Sequence, residues 1–128
     1  MAMDIANYLN ECCIDNAYPK DVGIKFYNDN FPSESERALL IKTYLKCHHE
    51  RLIENEGIDE NYEDFEKRIY PKLELEVQQC CLLNHFYWSL WALMMLKDRD
   101  LCKENIYHYF YVGKRIEMYI SAKQLFNL

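Results

Sequence analysis

Three glycines and three prolines are all that interrupt the 128 residues of this chain. Six in 128 is under 5%, where an ordinary globular chain carries roughly 12% of the two together. A chain with so few breaking points folds into a few long elements, and the apolar spacing predicts that these are helices. Ile5, Leu9, Cys12 and Cys13 recur at helical spacing, which predicts a first helix over Asp4–Asp15 with Asp4 as its cap. Tyr18-Pro19 ends it, and the aperiodic stretch Pro19–Pro32 reads as a loop. Ser33 with Glu36 fits a capping box that opens a second helix, which Gly57 stops. Two stripes are expected on that helix, Leu40/Tyr44/Cys47 and Ile41/Leu45/His48/Leu52. A charged helical segment follows over Asp59–Tyr70, and Pro71 is expected to kink or restart it. The next helix, about Lys72–Lys97, is apolar nearly all round in its second half and should be central. After a polar turn at Asp98-Arg99-Asp100, a last helix runs from near Lys103 to about Phe126. Tyr107, Phe110, Tyr111, Lys114 and Met118 form its stripe, and Gly113 suggests close packing. The reading is an all-α chain of about four to five helices.

Several function classes drop out. Apolar residues make up 50% of the chain, enough for a packed core. The net charge is −6 and no Lys/Arg cluster appears, which opposes a phosphate backbone and excludes a sizeable nucleic-acid surface. The most apolar run, Cys80–Leu96, is 17 residues long and carries Asn84, His85 and Ser89. A transmembrane span needs about 20 predominantly apolar residues, so none is expected. The six cysteines, at 12, 13, 47, 80, 81 and 102, include two adjacent pairs and no Cys-x-x-Cys. They read as reduced packing residues, and no short spacing supports zinc. No glycine-rich phosphate cradle exists.

The sharpest local feature is His85-Phe86-Tyr87-Trp88-Ser89-Leu90-Trp91. Trp88 and Trp91 are three apart and share a helix face. Tyr111 adds a third ring if the last two helices pack antiparallel. Two indoles, a phenol and a nearby carboxylate form a cage suited to a quaternary ammonium, each ring contributing roughly 0.5–2 kcal/mol; Glu11, one helical turn past Asn7, reads on its own as a solvated residue. The same residues also suit an aromatic core, and the pattern alone leaves both readings open. His85 reads as a core or capping histidine, His48-His49 as a half-exposed pair, and Cys12 and Cys13 as packing residues. Arg99-Asp100 with Asn105 has kinase-loop spacing, but a polar turn and helix start explain it, and no catalytic role follows.

Three segments together resemble the choline/ethanolamine kinase family. Asp4-Ile5-Ala6-Asn7-Tyr8 with Glu11 is similar to its Phe-Asp-Ile-Ala-Asn-His motif with a Glu four residues past the Asn. Leu75-Glu76-Val77 through His85-Phe86-Tyr87-Trp88-Ser89-Leu90-Trp91 resembles its Leu-Glu-Val … Ser-His-Phe-Phe-Trp-Gly-Leu-Trp helix. Tyr111-Val112-Gly113-Lys114-Arg115-Ile116-Glu117-Met118-Tyr119 resembles its Tyr-Ala-x-x-Arg-Phe-x-x-Tyr. Order and spacing agree over nearly the whole chain.

The resemblance implies a fragment of a protein-kinase-like C-terminal lobe, a single partial domain over residues 1–128. The parent would transfer the ATP γ-phosphate, with Mg²⁺, to the hydroxyl of choline or ethanolamine in phospholipid precursor synthesis. Trp88 and Trp91 then match pocket walls, Tyr111 a pocket tyrosine and Glu11 a rim glutamate. Asn16 stands where choline-preferring members place another pocket tyrosine, which modestly favours ethanolamine. The family's catalytic and metal-binding residues would lie upstream of residue 1. The isolated chain is therefore expected to be inactive and to bind no cofactor. Expected partners are the missing N-terminal part of the kinase and, through exposed apolar surface, a second copy. The expected location is cytoplasmic. Two alternatives remain: a stand-alone helical interaction module, and a fragment of an amine or aminoglycoside phosphotransferase.

Overall fold

A computed structural model describes residues 1–17, 23–97 and 103–128, with side chains undescribed at 97 and at 103–106. Tyr18, Pro19 and the turn at 98–100 lie outside the described residues. The chain is all-α. Four helices, α1 (Ala2–Glu11), α2 (Glu34–Glu56), α3 (Tyr62–Lys97) and α4 (Lys103–Phe126), carry it, with a two-stranded ribbon of β1 (Ile14–Asp15) and β2 (Lys25–Phe26) and a 3-10 turn at Asn28–Asn30.

The helix ends follow local chemistry. The Ser33 hydroxyl accepts from the Glu36 N–H, while the Glu36 carboxylate accepts from the Ser33 N–H at 2.8 Å, so two orphan donors of α2 are satisfied reciprocally. Gly57 closes α2 at φ 66°, a left-handed position that favours glycine. Asp4 is not a cap. It sits in the first turn of α1, 3.2 Å from the terminal ammonium. Nor does α1 reach Asp15, because Ile14 and Asp15 pair antiparallel with Phe26 and Lys25. The expected loop over 19–32 thus contains a strand and a 3-10 turn. β-branched Ile14 and aromatic Phe26 suit an extended ribbon, and there they pack against the cluster of Ile24, Ala92 and Tyr111.

Pro71 neither restarts nor ends its helix, since α3 runs through it for 36 residues. The carbonyl that Pro71 leaves without a donor belongs to Lys67, and both residues are exposed, so water can serve it. α3 is the spine, touching α1, α2 and α4. It lies antiparallel to α4, as the contacts Trp91–Tyr111 and His85–Arg115 show. It also runs antiparallel to α1, since Asn10 reaches Cys81 and Asn7 reaches Trp88.

One apolar cluster joins α1, α2 and the N-terminal half of α3 through Ile5, Leu9, Ile41, Leu45, Phe65, Leu73, Val77 and Cys81. Full burial of such a side chain is worth roughly 1.5–3 kcal/mol. The α2 stripes shift from expectation: Ile41, Leu45 and His49 are buried, whereas Tyr44 and Cys47 are exposed. His49 is thus a buried residue that meets the Glu60 carbonyl at 2.7 Å and packs on Tyr62 and Phe65. On α4 the buried stripe is His108, Tyr111, Arg115, Met118 and Ala122, so Arg115 takes the inward place expected of Lys114. Gly113 packs against nothing, and a Cβ there would meet open space. The far face of α3 is not covered among the described residues, and Leu83, Phe86, Tyr87, Leu90, Leu93 and Met94 are exposed.

Candidate functional site

The second half of α3 changes what its inner face carries. Trp88 and Trp91 meet edge to face, with ring centroids 5.6 Å apart at 80°. Trp91 meets Tyr111 of α4 at 6.4 Å and 74°. Tyr107, one turn earlier on α4, stacks on Tyr111 at 5.9 Å. Phe26 of β2 closes on the same ring at 5.9 Å. Such pairs add roughly 0.5–1.5 kcal/mol beyond their burial. Trp88 and Trp91 remain half-buried, so neither is sealed in the interior, while Tyr111 is buried.

Glu11 reaches this cluster through Arg115. That side chain is 1% exposed, and its guanidinium is a hub. Nε donates to the Tyr111 hydroxyl at 2.8 Å and Nη2 donates to the same oxygen at 2.6 Å. Nη2 also donates to Glu11 Oε1 at 2.6 Å, joining the end of α1 to α4. Nη1 lies 3.4 Å from His85 Nδ1. The guanidinium carbon stands 5.0 Å from the Tyr111 ring centroid and 6.0 Å from that of Trp88, within cation–π range. The other Glu11 oxygen accepts from Asn16 Nδ2 at 3.4 Å.

A second polar chain fixes Trp88. Asn10 Nδ2 donates to the Cys81 carbonyl and to Asn84 Oδ1, both at 3.0 Å. Asn84 Nδ2 donates to Asn7 Oδ1 at 2.8 Å, and the Trp88 indole N–H donates to that oxygen at 3.3 Å. Bonding offsets the desolvation cost of buried amides, so this ladder sets the register of α1 on α3, while Asn10 Oδ1 is buried with no partner among the described residues.

Comparison with known proteins adds one finding. A family model described as choline/ethanolamine kinase matches residues 1–120. This chain belongs to the choline/ethanolamine kinase family. No curated protein matches it.

Within this family member, the candidate residues fall into two relations. The rings of Trp88, Trp91 and Tyr111 form one contact chain, and Glu11 joins it through Arg115. The cleft that opens on Trp88, about 400 Å³, is lined by Met3, Asp4, Asn7, Asn84 and Tyr87. Burial, helped by the Arg115 charge, pushes the His85 imidazole down to about 3, so it stays neutral at pH 7. Burial pushes the Cys13 thiol up to about 11, which keeps it protonated and inert as expected of a packing residue. The Tyr111 hydroxyl is also raised by burial, against the pull of Arg115. Among the described residues, no three His, Cys, Asp or Glu side chains group to hold a metal ion. Sequence reading missed Arg115 as a hub and Asn10 altogether. A signal existed for the polar chain, since Asn84 and His85 interrupt the most apolar run.

Proposed function

We propose that this chain supplies the amine-binding part of an enzyme that phosphorylates the hydroxyl of choline or ethanolamine with ATP and Mg²⁺, a step in phospholipid precursor synthesis. The observation that carries the reading is the contact chain of Trp88, Trp91 and Tyr111, whose two indoles are half-buried and whose buried phenol is joined through Arg115 to the Glu11 carboxylate. Ring faces attract a permanent cation that has no N–H to donate, which suits a trimethylammonium group. A primary ammonium would additionally donate to carboxylate or amide oxygens at Glu11 and Asn16.

Phosphoryl transfer depends on metal and in-line positioning, and the family resemblance matches none of the family's residues for those jobs to this chain. The chain by itself therefore binds amine weakly and does not turn over ATP. The exposed apolar row on α3 is where the rest of the enzyme or a second copy would pack, in a cytoplasmic setting.

The test is a titration followed by the indole N–H resonances of the 128-residue chain. Choline shifts both Trp88 and Trp91, with affinity no better than about millimolar. Its neutral isostere, 3,3-dimethylbutan-1-ol, does not. Equal responses to the two, or none to choline, would overturn the reading. ATP turnover by the chain above a no-enzyme control would overturn the division of labour.

A further inference from the structure

An aromatic and carboxylate-lined site normally waits for a cation. Here a cation is built in. Arg115 lies over the faces of Trp88 and Tyr111 and bonds Glu11 at 2.6 Å. Its donors are engaged on Nε, Nη1 and Nη2 by the Tyr111 hydroxyl, His85 and Glu11. The charge of Glu11 is thus cancelled before any guest arrives, and its second oxygen is engaged by Asn16. None of the other groups around the guanidinium restores a charge: His85 is neutral and the Tyr111 phenol is protonated.

We infer that Arg115 is a specificity-determining residue of this site, a resident counter-cation that removes the net negative charge of Glu11 so that ring faces select the guest. The inference rests on the amine-site reading above. Without Arg115 the site is a set of π faces around an uncompensated carboxylate. Such a site holds any small cation, and inorganic ions outnumber an organic amine in most solutions. With Arg115 in place, a hard ion such as K⁺ gains little and keeps its water. A tetraalkylammonium, large and weakly hydrated, still profits from the rings. Arg115 thereby exchanges affinity for discrimination.

The test uses tetramethylammonium chloride as probe, with the 128-residue chain and Arg115→Met, Arg115→Gln and Arg115→Lys, each checked for helical content. The two neutral variants are expected to bind the probe about three- to tenfold more tightly, the scale of one unit charge a few ångströms away behind partial screening. Potassium chloride at about 0.15 M, a physiological ionic strength, competes in those variants and not in the parent. Arg115→Lys keeps the charge and shows no gain. A residue with a purely structural role would lose affinity in all three variants. Folded neutral variants with equal or weaker binding overturn the inference while the amine site stands. A gain in the variants with no response in the parent upholds the inference and overturns the amine site. No binding anywhere overturns both. Should both neutral variants unfold, the parent decides: the Arg115 Nε–H resonance stays protected while probe shifts the indoles, and its loss to solvent exchange would show that the guest displaces Arg115 and overturn the inference.

Discussion

The two halves of α3 are packed by opposite means. Through Phe65, Leu73, Val77 and Cys81 its inner face meets aliphatic side chains of α1 and α2. From Asn84 onward the same helix presents Asn84, His85, Ser89 and two half-buried indoles to α1, α4 and the β ribbon. The first half is held by burial, which has no direction and forgives changes of shape. The second is held by bonds with fixed partners, around one buried charge. A buried ion pair adds little net stability, because desolvation consumes most of the attraction, yet breaking it from one side is costly. The polar half is therefore the expensive one, and it is where the candidate site lies.

The largest effect that could break this contrast is Glu11→Gln. It leaves the Arg115 guanidinium buried and without its counter-charge, which should cost about 3 kcal/mol. Urea unfolding of the variant measures it, and a loss under about 1 kcal/mol would mean that the charge finds other compensation. Next comes pH. His85 has a folded-state value near 3 against 6.5 in the unfolded chain, so its contribution is fully present above about pH 6.5. It is lost as pH falls below that, since the unfolded chain takes a proton that the folded one refuses. One proton costs about 1.4 kcal/mol per pH unit, or about 2 kcal/mol between pH 6.5 and 5. His85→Gln should flatten that slope, and an unchanged slope would assign the acid sensitivity to other groups.

Smaller changes sharpen the aliphatic side. Leu45→Met, volume-conserving at a fully buried position, should cost less than about 1.5 kcal/mol. A larger loss in thermal unfolding would make this core as shape-specific as the polar half. The glycine that ends α2 and the one inside α4 should split in sign. Gly57→Ala, at φ 66°, should destabilise by about 1 kcal/mol, while Gly113→Ala, facing open space, should stabilise by about 0.5–1 kcal/mol. Equal signs in a melting comparison would contradict the two backbone assignments.

Most of the fold was legible because its signals are local. The Ser33–Glu36 box and Gly57 bound α2 by chemistry within one turn. The helices follow from periodicity and scarce breakers, with α1 shorter than expected and α3 joining two segments that were expected to part at Pro71. What escaped depends on distant partners. The ribbon packs Ile14 and Phe26 against a cluster that includes Ala92 and Tyr111, far along the chain, which no window of neighbouring residues contains. Continuity through Pro71 depends on solvent at Lys67, which a propensity rule ignores. The site was half legible. Aromatic spacing placed Trp88, Trp91 and Tyr111 in one contact chain, but Arg115 reads as a surface residue on α4 until Glu11 is known to face it. A charge goes inward only when a counter-charge arrives from elsewhere, and that pairing is a tertiary fact.

The bond between Glu11 and Arg115 closes a loop of 104 positions. Synthesis delivers Glu11 104 positions ahead of Arg115. A nascent chain can pair α2 with the start of α3 through near neighbours, yet α1 must wait for Cys81 and Asn84 to be made, and the guanidinium arrives later still. Loop closure over such a span is slow compared with contacts between adjacent helices. The end of the bundle around Arg115 accordingly matures after the aliphatic end, and a ribosome stalled short of residue 115 would hold a chain with α1, α2 and most of α3 made and the link from Glu11 to α4 still missing.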